Sequence, residues 1–321
     1  MRTIRSLLTI TLLLLVSTAS IAQDYPSKAI RLIVPFPPGG STDLVARVVG
    51  QKMADSWGKQ VVIDNRPGAN GMIGSDIVAK ANPDGYTIVL GTIGPMAINA
   101  SLYKMPYDIL KDLAPITYTA NIANVLVVNP TLAAKDVREL IALARTRPGQ
   151  LTFGSSGTGG APHMAVELFK LLAKVNIVHV PYKGGGPSVT ATIGGEVQFS
   201  IPVMGSAATH VKAGRLKMLA VTGAKRSQAF PEVPTVQEAG VPGYVFEAWF
   251  GIFSPAGIPK PILNRLNAAT HKALAMGDVR EQFLRQGIEA DPSTPAELTR
   301  VLRDDTATWA KIIKSAGIPI N

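Results

Sequence analysis

The sequence predicts an α/β protein of two domains, each a mixed, mainly parallel sheet flanked by helices. Three observations carry that reading. Short apolar runs of strand length recur, and each hands over through turn residues to a segment of helical period. Glycine gathers at those handovers. The length, 321 residues, suits two domains and can bury a core in each.

The chain opens on Arg2 and Arg5, an uncharged apolar run from Leu7 to Val16, and then Ser20-Ile21-Ala22 with small residues flanking Ile21. Ten residues fall short of the ~20 that a helix needs to cross a bilayer. Residues 1–22 therefore read as a secretory signal peptide cut after Ala22, which sends the mature chain to the periplasm. The sequence contains no cysteine, so disulfides, thiolate chemistry, cysteine metal ligation and a lipid anchor are all excluded.

The predicted strands are Ile30–Val34, Val61–Ile63, Thr87–Leu90, Val125–Val128, Leu151–Phe153, Ile177–Val180, Val197–Ile201, Met218–Val221 and Trp249–Phe253. Between the first two, residues 43–57 place Leu44, Val45, Val48, Val49 and Met53 on one helical stripe. From Lys260 the pattern is wholly helical. It includes a capping box at Thr294-Pro295-Ala296-Glu297, with proline at the first helical position.

Apolar residues make up 46% and charged residues 17%, which excludes disorder, and the mean hydropathy of +0.21 is partly the leader's. Without Arg2 and Arg5, 30 basic residues face 22 acidic ones, a mature charge of +8. The basic residues are scattered among acids without interleaved aromatics, which argues against nucleic acid and other polyanions.

Four glycine junctions stand at strand ends: residues 35–43, 91–94, 154–160 and 181–188. Open α/β sheets bind ligands there, because glycine admits close backbone approach and the next helix presents free N–H groups. Two junctions in each half favour a cleft lined from both sides.

Known phosphate and catalytic patterns fail on inspection. Gly58-Lys59 continues with Gln60 instead of Ser or Thr, and Pro162 occupies the position where Gly157-Thr158-Gly159 would need a glycine. The serine-hydrolase elbow around Ser156 ends on Thr158. His179, His210 and His271 are isolated, so neither a metal site nor a cofactor is expected. His163, in the first turn after its loop, is disfavoured as an imidazolium and suits neutral hydrogen-bond donation, while Asp43 suits tying down the glycine loop. Small anions can be held without arginine. Charge-assisted bonds contribute about 1.5–3 kcal/mol each, and micromolar binding needs about 8 kcal/mol, so two or three donors on each of two carboxylates reach that range.

Several motifs, taken together and in order, resemble one family. They are Val34-Pro35-Phe36-Pro37-Pro38-Gly39-Gly40-Ser41-Thr42-Asp43, Asp64-Asn65-Arg66-Pro67-Gly68-Ala69-Asn70-Gly71-Met72-Ile73-Gly74, Ala79-Lys80-Ala81-Asn82-Pro83-Asp84-Gly85-Tyr86-Thr87, Val180-Pro181-Tyr182-Lys183-Gly184-Gly185-Gly186-Pro187 and Phe253-Ser254-Pro255-Ala256-Gly257-Ile258-Pro259. Across essentially the whole mature chain they resemble the substrate-binding proteins of tripartite tricarboxylate transporters, the Bug family. The resemblance implies a two-lobed periplasmic binding protein fold of the type II kind, a monomer that closes like a flytrap over a small carboxylate and delivers it to membrane permease subunits. Lobe one would comprise residues 24–122 and 250–321, and lobe two residues 123–249, with two crossings acting as a hinge.

Carried onto this sequence, the family's ligand cradle falls on Phe36, Pro37, Gly39, Gly40 and Ser41 in the first lobe and on Ser155, Ser156, Thr158 and Gly159 in the second. His163 stands close behind, and Tyr182, Lys183 and Gly184 form a flanking wall. Thr92, in the second glycine junction, completes the candidates. Relatives often carry aspartate where this chain reads Gln198-Phe199-Ser200-Ile201-Pro202-Val203, which argues against an amino-acid ligand and for an unsubstituted or aromatic acid. Two alternatives stay open. One is a sensor whose closed form docks a membrane receptor, and the other is an exported hydrolase using Ser155 or Ser156 with His163.

Overall fold

In the computed structural model, which describes residues 25–318, the chain forms two mixed sheets and passes between them twice. The leader read at residues 1–22 lies outside the described residues. The chain enters the first sheet through β1 (Ile30–Val34), α1 (Ser41–Trp57), β2 (Val61–Asn65), α2 (Met72–Ala79) and β3 (Thr87–Thr92). Short helical turns from Gly94 to Ser101 and α3 (Ile109–Asp112) lead to β4 (Leu113–Ile122). The second sheet then follows: β5 (Val125–Val128), α4 (Val137–Thr146), β6 (Thr152–Ser155), α5 (Ala161–Ala173), β7 (Val178–Pro181), α6 (Gly185–Gly194), β8 (Phe199–Ser200), α7 (Met204–Lys212) and β9 (Lys217–Val221). Through β10 (Ala248–Pro255) the chain returns to the first sheet and ends with α8 (Lys260–Leu274), α9 (Gly277–Leu284), β11 (Ile288–Ala290) and α10 (Pro295–Ser315).

The strand orders are β11-β4-β10-β3-β1-β2 and β7-β6-β8-β5-β9. The strands that hand over to glycine loops pair in parallel: β1 with β2 and β3, and β6 with β7 and β8. Antiparallel pairs belong to the strands that carry the chain across. β4 leaves the first sheet and β10 returns to it, so the two run in opposite directions over residues 113–122 and 248–255. β5 is likewise antiparallel to β8 and β9. The sheets are therefore mixed, as the fold class expects, and pairing fixes which strands run antiparallel, because periodicity carries no strand direction.

Two elements depart from the sequence reading. β4 is absent from the predicted strands because Thr117 and Thr119, two of its seven buried positions, are polar and Pro115 interrupts the run. The proline pairs with Phe253 at a register shift, where a missing ladder bond is tolerated. β11 breaks the wholly helical C-terminal reading. Gly287, at φ +67°, ends the turn after α9, and Ile288–Ala290 then pairs with residues 120–122 of β4.

Strand alternation distributes the core. In β5, Leu126 and Val128 join the main cluster that spans both sheets, while Val125 and Val127 face a smaller cluster with Met204, Leu216 and Phe230. The two crossings are bonded to each other. The Thr222 N–H and hydroxyl both donate to the Asn124 carbonyl, at 3.0 and 3.2 Å, and the Phe246 N–H donates to the Thr222 carbonyl at 2.9 Å.

Candidate functional site

The loops that follow β2 and β3 in the first sheet contact the loop after β6 in the second. On the first sheet, Gly71 sits so close to Pro95 and Phe36 that an added Cβ would lie 3.0 and 3.3 Å from their side chains, which draws three loops together. Asn70, at φ +50°, donates through Nδ2 to Asn99 Oδ1 at 2.8 Å and to the Gly159 carbonyl of the second-sheet loop at 3.1 Å. Asn99 is fully buried and returns a bond from its Nδ2 to the Asn70 carbonyl. A second link runs from the Tyr103 hydroxyl to the Thr158 carbonyl at 3.2 Å. On the second sheet, the Tyr182 N–H donates to the Ser155 carbonyl at 3.0 Å, which sets the 155–160 loop beside residues 181–186.

Three helices start at this meeting place with glycine at the N-cap and no side-chain cap: α1 at Gly40, α5 at Gly160 and α6 at Gly184. In α1 the first intrahelical bond runs from the Leu44 N–H to the Gly40 carbonyl, so the amides of Ser41, Thr42 and Asp43 precede the helix's own ladder. An added Cβ at Gly39, Gly40, Gly184, Gly185 or Gly186 would meet no atom within 4 Å. Helix starts of this kind place partial positive charge in open space, where an anion is favoured.

The first-sheet loop is held from behind. Asp43 is buried and accepts bonds from the Gly39 N–H at 3.0 Å, Arg47 Nε at 2.9 Å and Asn65 Nδ2 at 3.0 Å. Burial pushes the Asp43 carboxyl up, and these three bonds outweigh it and hold the group below the usual carboxylate range. Asn65 also donates to the Phe36 carbonyl. Arg47 is thus paired with a carboxylate and leaves the amides as the loop's open donors.

The candidate residues divide by what their polar groups already do. Gly39, Gly40 and Pro37 are exposed, and Phe36, Ser41, Thr92, Ser156, Tyr182 and Gly184 are half-buried around the meeting place. Lys183 and Thr158 are exposed. Ser155, Gly159 and His163 spend their polar groups inside the loop instead. Ser155 is fully buried, accepts the Gly157 N–H at 3.1 Å and shares a hydrogen bond with His179 Nε2 at 2.6 Å. The Gly159 N–H donates to His163 Nδ1 at 3.0 Å, and His163 is only 4% exposed. His163 therefore accepts a bond from the loop through Nδ1, where the sequence suggested a neutral donor. The Tyr182 hydroxyl is buried without a partner, and burial, with the Glu196 carboxylate nearby, pushes its pKa up to about 12.

No described serine bonds to His163, and Ser155, which does meet a histidine, is sealed from solvent. Burial, then neighbouring His163, lower the His179 pKa to about 4, too acidic for a general base at neutral pH. Among the described residues no group of three or more His, Asp or Glu is placed to hold a metal ion. A cavity of about 520 Å³ lies elsewhere, between Tyr118, Trp249, Asp291, Arg300 and Trp309, and none of the candidate residues lines it.

Asn70, Asn99 and Tyr103 are supports to which the sequence assigned no role, and His179, isolated in the sequence, stands in the structure beside His163 and Ser155. The available signal was Asn70 between Ala69 and Gly71, since asparagine tolerates a left-handed turn and also carries a donor.

The family model for the tripartite tricarboxylate transporter family receptor matches residues 45–318. Protein BugT of Bordetella pertussis is 39% identical over 298 residues, 92% of this chain and 91% of that protein. The solved structure of Rpa4515 from R. palustris with adipate is 37% identical, with a TM-score of 0.86 over 92% of this chain and 99% of that one. MatC from Rhodopseudomonas palustris with bound malate is 30% identical, with a TM-score of 0.82 over 90% of this chain and 100% of that one.

Proposed function

This chain belongs to the tripartite tricarboxylate transporter receptor family, a family of solute-binding proteins and not of enzymes, and we propose that it captures a small organic dicarboxylate in the periplasm for delivery to membrane permease subunits. The observation that carries this reading is the set of three uncapped, glycine-started helices from both sheets, opening beside loops that touch through Asn70 and Tyr103. Two carboxylates suit two sets of donors. One set is the Ser41 and Thr42 amides with the Ser41 hydroxyl. The other is the Ser156 hydroxyl with the Thr158 side chain and the amides of residues 184–186. Tyr182 and Lys183 wall that side, and Thr92 and Phe36 floor the other. Relatives solved with adipate and malate support a dicarboxylate.

Lobe one in this account comprises residues 24–122 and 250–321, and lobe two residues 123–249. Bonded crossings at Asn124 and Thr222 serve as the hinge, and a ligand that contacts both lobes shifts the population toward closure. A leader cleaved after Ala22 and the lack of any described helix long and apolar enough to cross a membrane support a diffusing carrier. The test is mass spectrometry of small molecules retained through gentle purification of the exported protein. A stoichiometric carboxylic acid is the expected result. A retained amine or sugar, or a protein that also binds no acid when acids are supplied, overturns the reading.

A further inference from the structure

Beneath the second-sheet loop lies a stack of three rings. His163 and His179 face each other at 3.9 Å and 21°, and Phe153 covers His179 at 4.8 Å and 21°. Each imidazole reaches up to a different point of one loop. His163 Nδ1 accepts the Gly159 N–H, and His179 Nε2 bonds the Ser155 hydroxyl, which itself accepts the Gly157 N–H. The stack thus engages three of the five residues from Ser155 to Gly159, two of them glycines at positive φ whose conformations sequence alone leaves free.

The protonation pattern follows from the partners. Nδ1 of His163 can accept an N–H only if it carries no proton, which puts the ring proton on Nε2, 3.6 Å from Glu167 Oε1. Lys170 holds Glu167 at 2.7 Å and also lies over the Phe153 ring at 5.7 Å. Two imidazoliums face to face would repel, so the stack disfavours charge on both rings at once.

We infer that His163 and His179 are positioning residues, which hold the 155–160 loop in the shape that meets the ligand without touching the ligand themselves. The inference rests on the carboxylate reading only for what the loop receives; the clamp itself is independent of it. Losing the Gly159 bond frees a glycine to sample other backbone angles, and the amides and hydroxyls of residues 156–158 then disperse. Binding weakens through loss of preorganisation, with no ligand contact removed.

The experiment compares wild type with His163→Ala, His163→Asn and His179→Ala. Three readouts are taken: amide exchange at Gly157 and Gly159, long-range nitrogen–proton correlation of the imidazoles, and calorimetric titration with adipate and with malate. Asparagine places its Oδ1 near the position of Nδ1 and can keep the Gly159 bond. The expected results are an Nε2-protonated His163 in wild type, Gly159 exchange at least about tenfold faster in His163→Ala, Gly157 exchange accelerated in His179→Ala, and near-wild-type Gly159 exchange in His163→Asn. Affinity for whichever acid the wild type binds should fall about tenfold in either alanine variant and recover to within about threefold in His163→Asn. Unchanged Gly159 exchange in His163→Ala, or a proton on His163 Nδ1, overturns the clamp. If the wild type binds neither acid, the ligand reading fails while the exchange data still decide the clamp. If His163→Ala does not fold, His163→Gln, which lacks an acceptor at the Nδ1 position, takes its place and must show the same exchange increase.

Discussion

Asn70→Gly removes one of the bonds that tie the two sheets' loops together. The substitution leaves the backbone undisturbed, because φ at position 70 is +50°, a conformation glycine adopts freely. Relief of that conformation and glycine's extra freedom in the unfolded chain are of similar size, under about 1 kcal/mol, and oppose each other. What remains is the loss of two bonds from Nδ2, to Asn99 Oδ1 and to the Gly159 carbonyl. Asn99 is fully buried, so its oxygen is left without a donor, at a cost of about 1–3 kcal/mol. The Gly159 bond contributes about 1 kcal/mol to closure, roughly fivefold in affinity for any ligand that needs both loops. Urea unfolding should therefore show a loss of about 1–3 kcal/mol at unchanged m-value, and calorimetry a roughly fivefold weaker dicarboxylate. A variant within about 0.5 kcal/mol of wild type and with unchanged affinity would refute the assigned role of Asn70.

Gly40→Ala should separate folding from binding: φ at Gly40 is −86° and an added Cβ meets nothing within 4 Å, so stability should hold within about 0.5 kcal/mol. Its methyl group would instead stand at the α1 start, and affinity should drop at least about tenfold; equal affinity would remove that helix start from the site. Ser156→Ala should weaken binding by about 1.5–3 kcal/mol by titration if the hydroxyl holds a carboxylate, and no change would dismiss it. His179, with a pKa lowered to about 4 from 6.5, stays neutral in the folded protein while the unfolded chain takes up a proton, so stability should fall as pH drops from 6.5 toward 4. That loss is at most roughly 3–4 kcal/mol. A urea midpoint with the same pH slope in wild type and His179→Phe would contradict it.

Much of this architecture was legible in the residues. β1, β5 and β10 announce themselves as apolar runs, and Thr294 with Glu297 forms the capping box that opens α10, each side chain bonding the other's backbone. Glycine loops at strand ends marked the meeting place because they need no tertiary knowledge to interpret. What escaped was information that only pairing creates. β4 hides behind Thr117, Thr119 and Pro115, and its direction depends on β10, about 130 residues later. Likewise Ser155 and His163 have the right chemistry to face a ligand, but their outlets are claimed by His179 and Gly159, partners fixed by the register of β6 against β7 and by the first turn of α5. A histidine in Val178-His179-Val180 carries no signal that the strand beside it ends in Ser155.

In the proposed function, uncharged donors, the first-turn amides and hydroxyls, select a carboxylate. Calorimetric titration of the mature protein with a dicarboxylate and with its neutral diamide, adipate beside adipamide or malate beside malamide, tests that selection. Saturable one-to-one binding of at least one acid is expected, with an affinity for its diamide lower by a hundredfold or more, since two charge-assisted contacts are lost at about 1.5–3 kcal/mol each. Equal affinity for acid and diamide, or no binding of any acid, would contradict it.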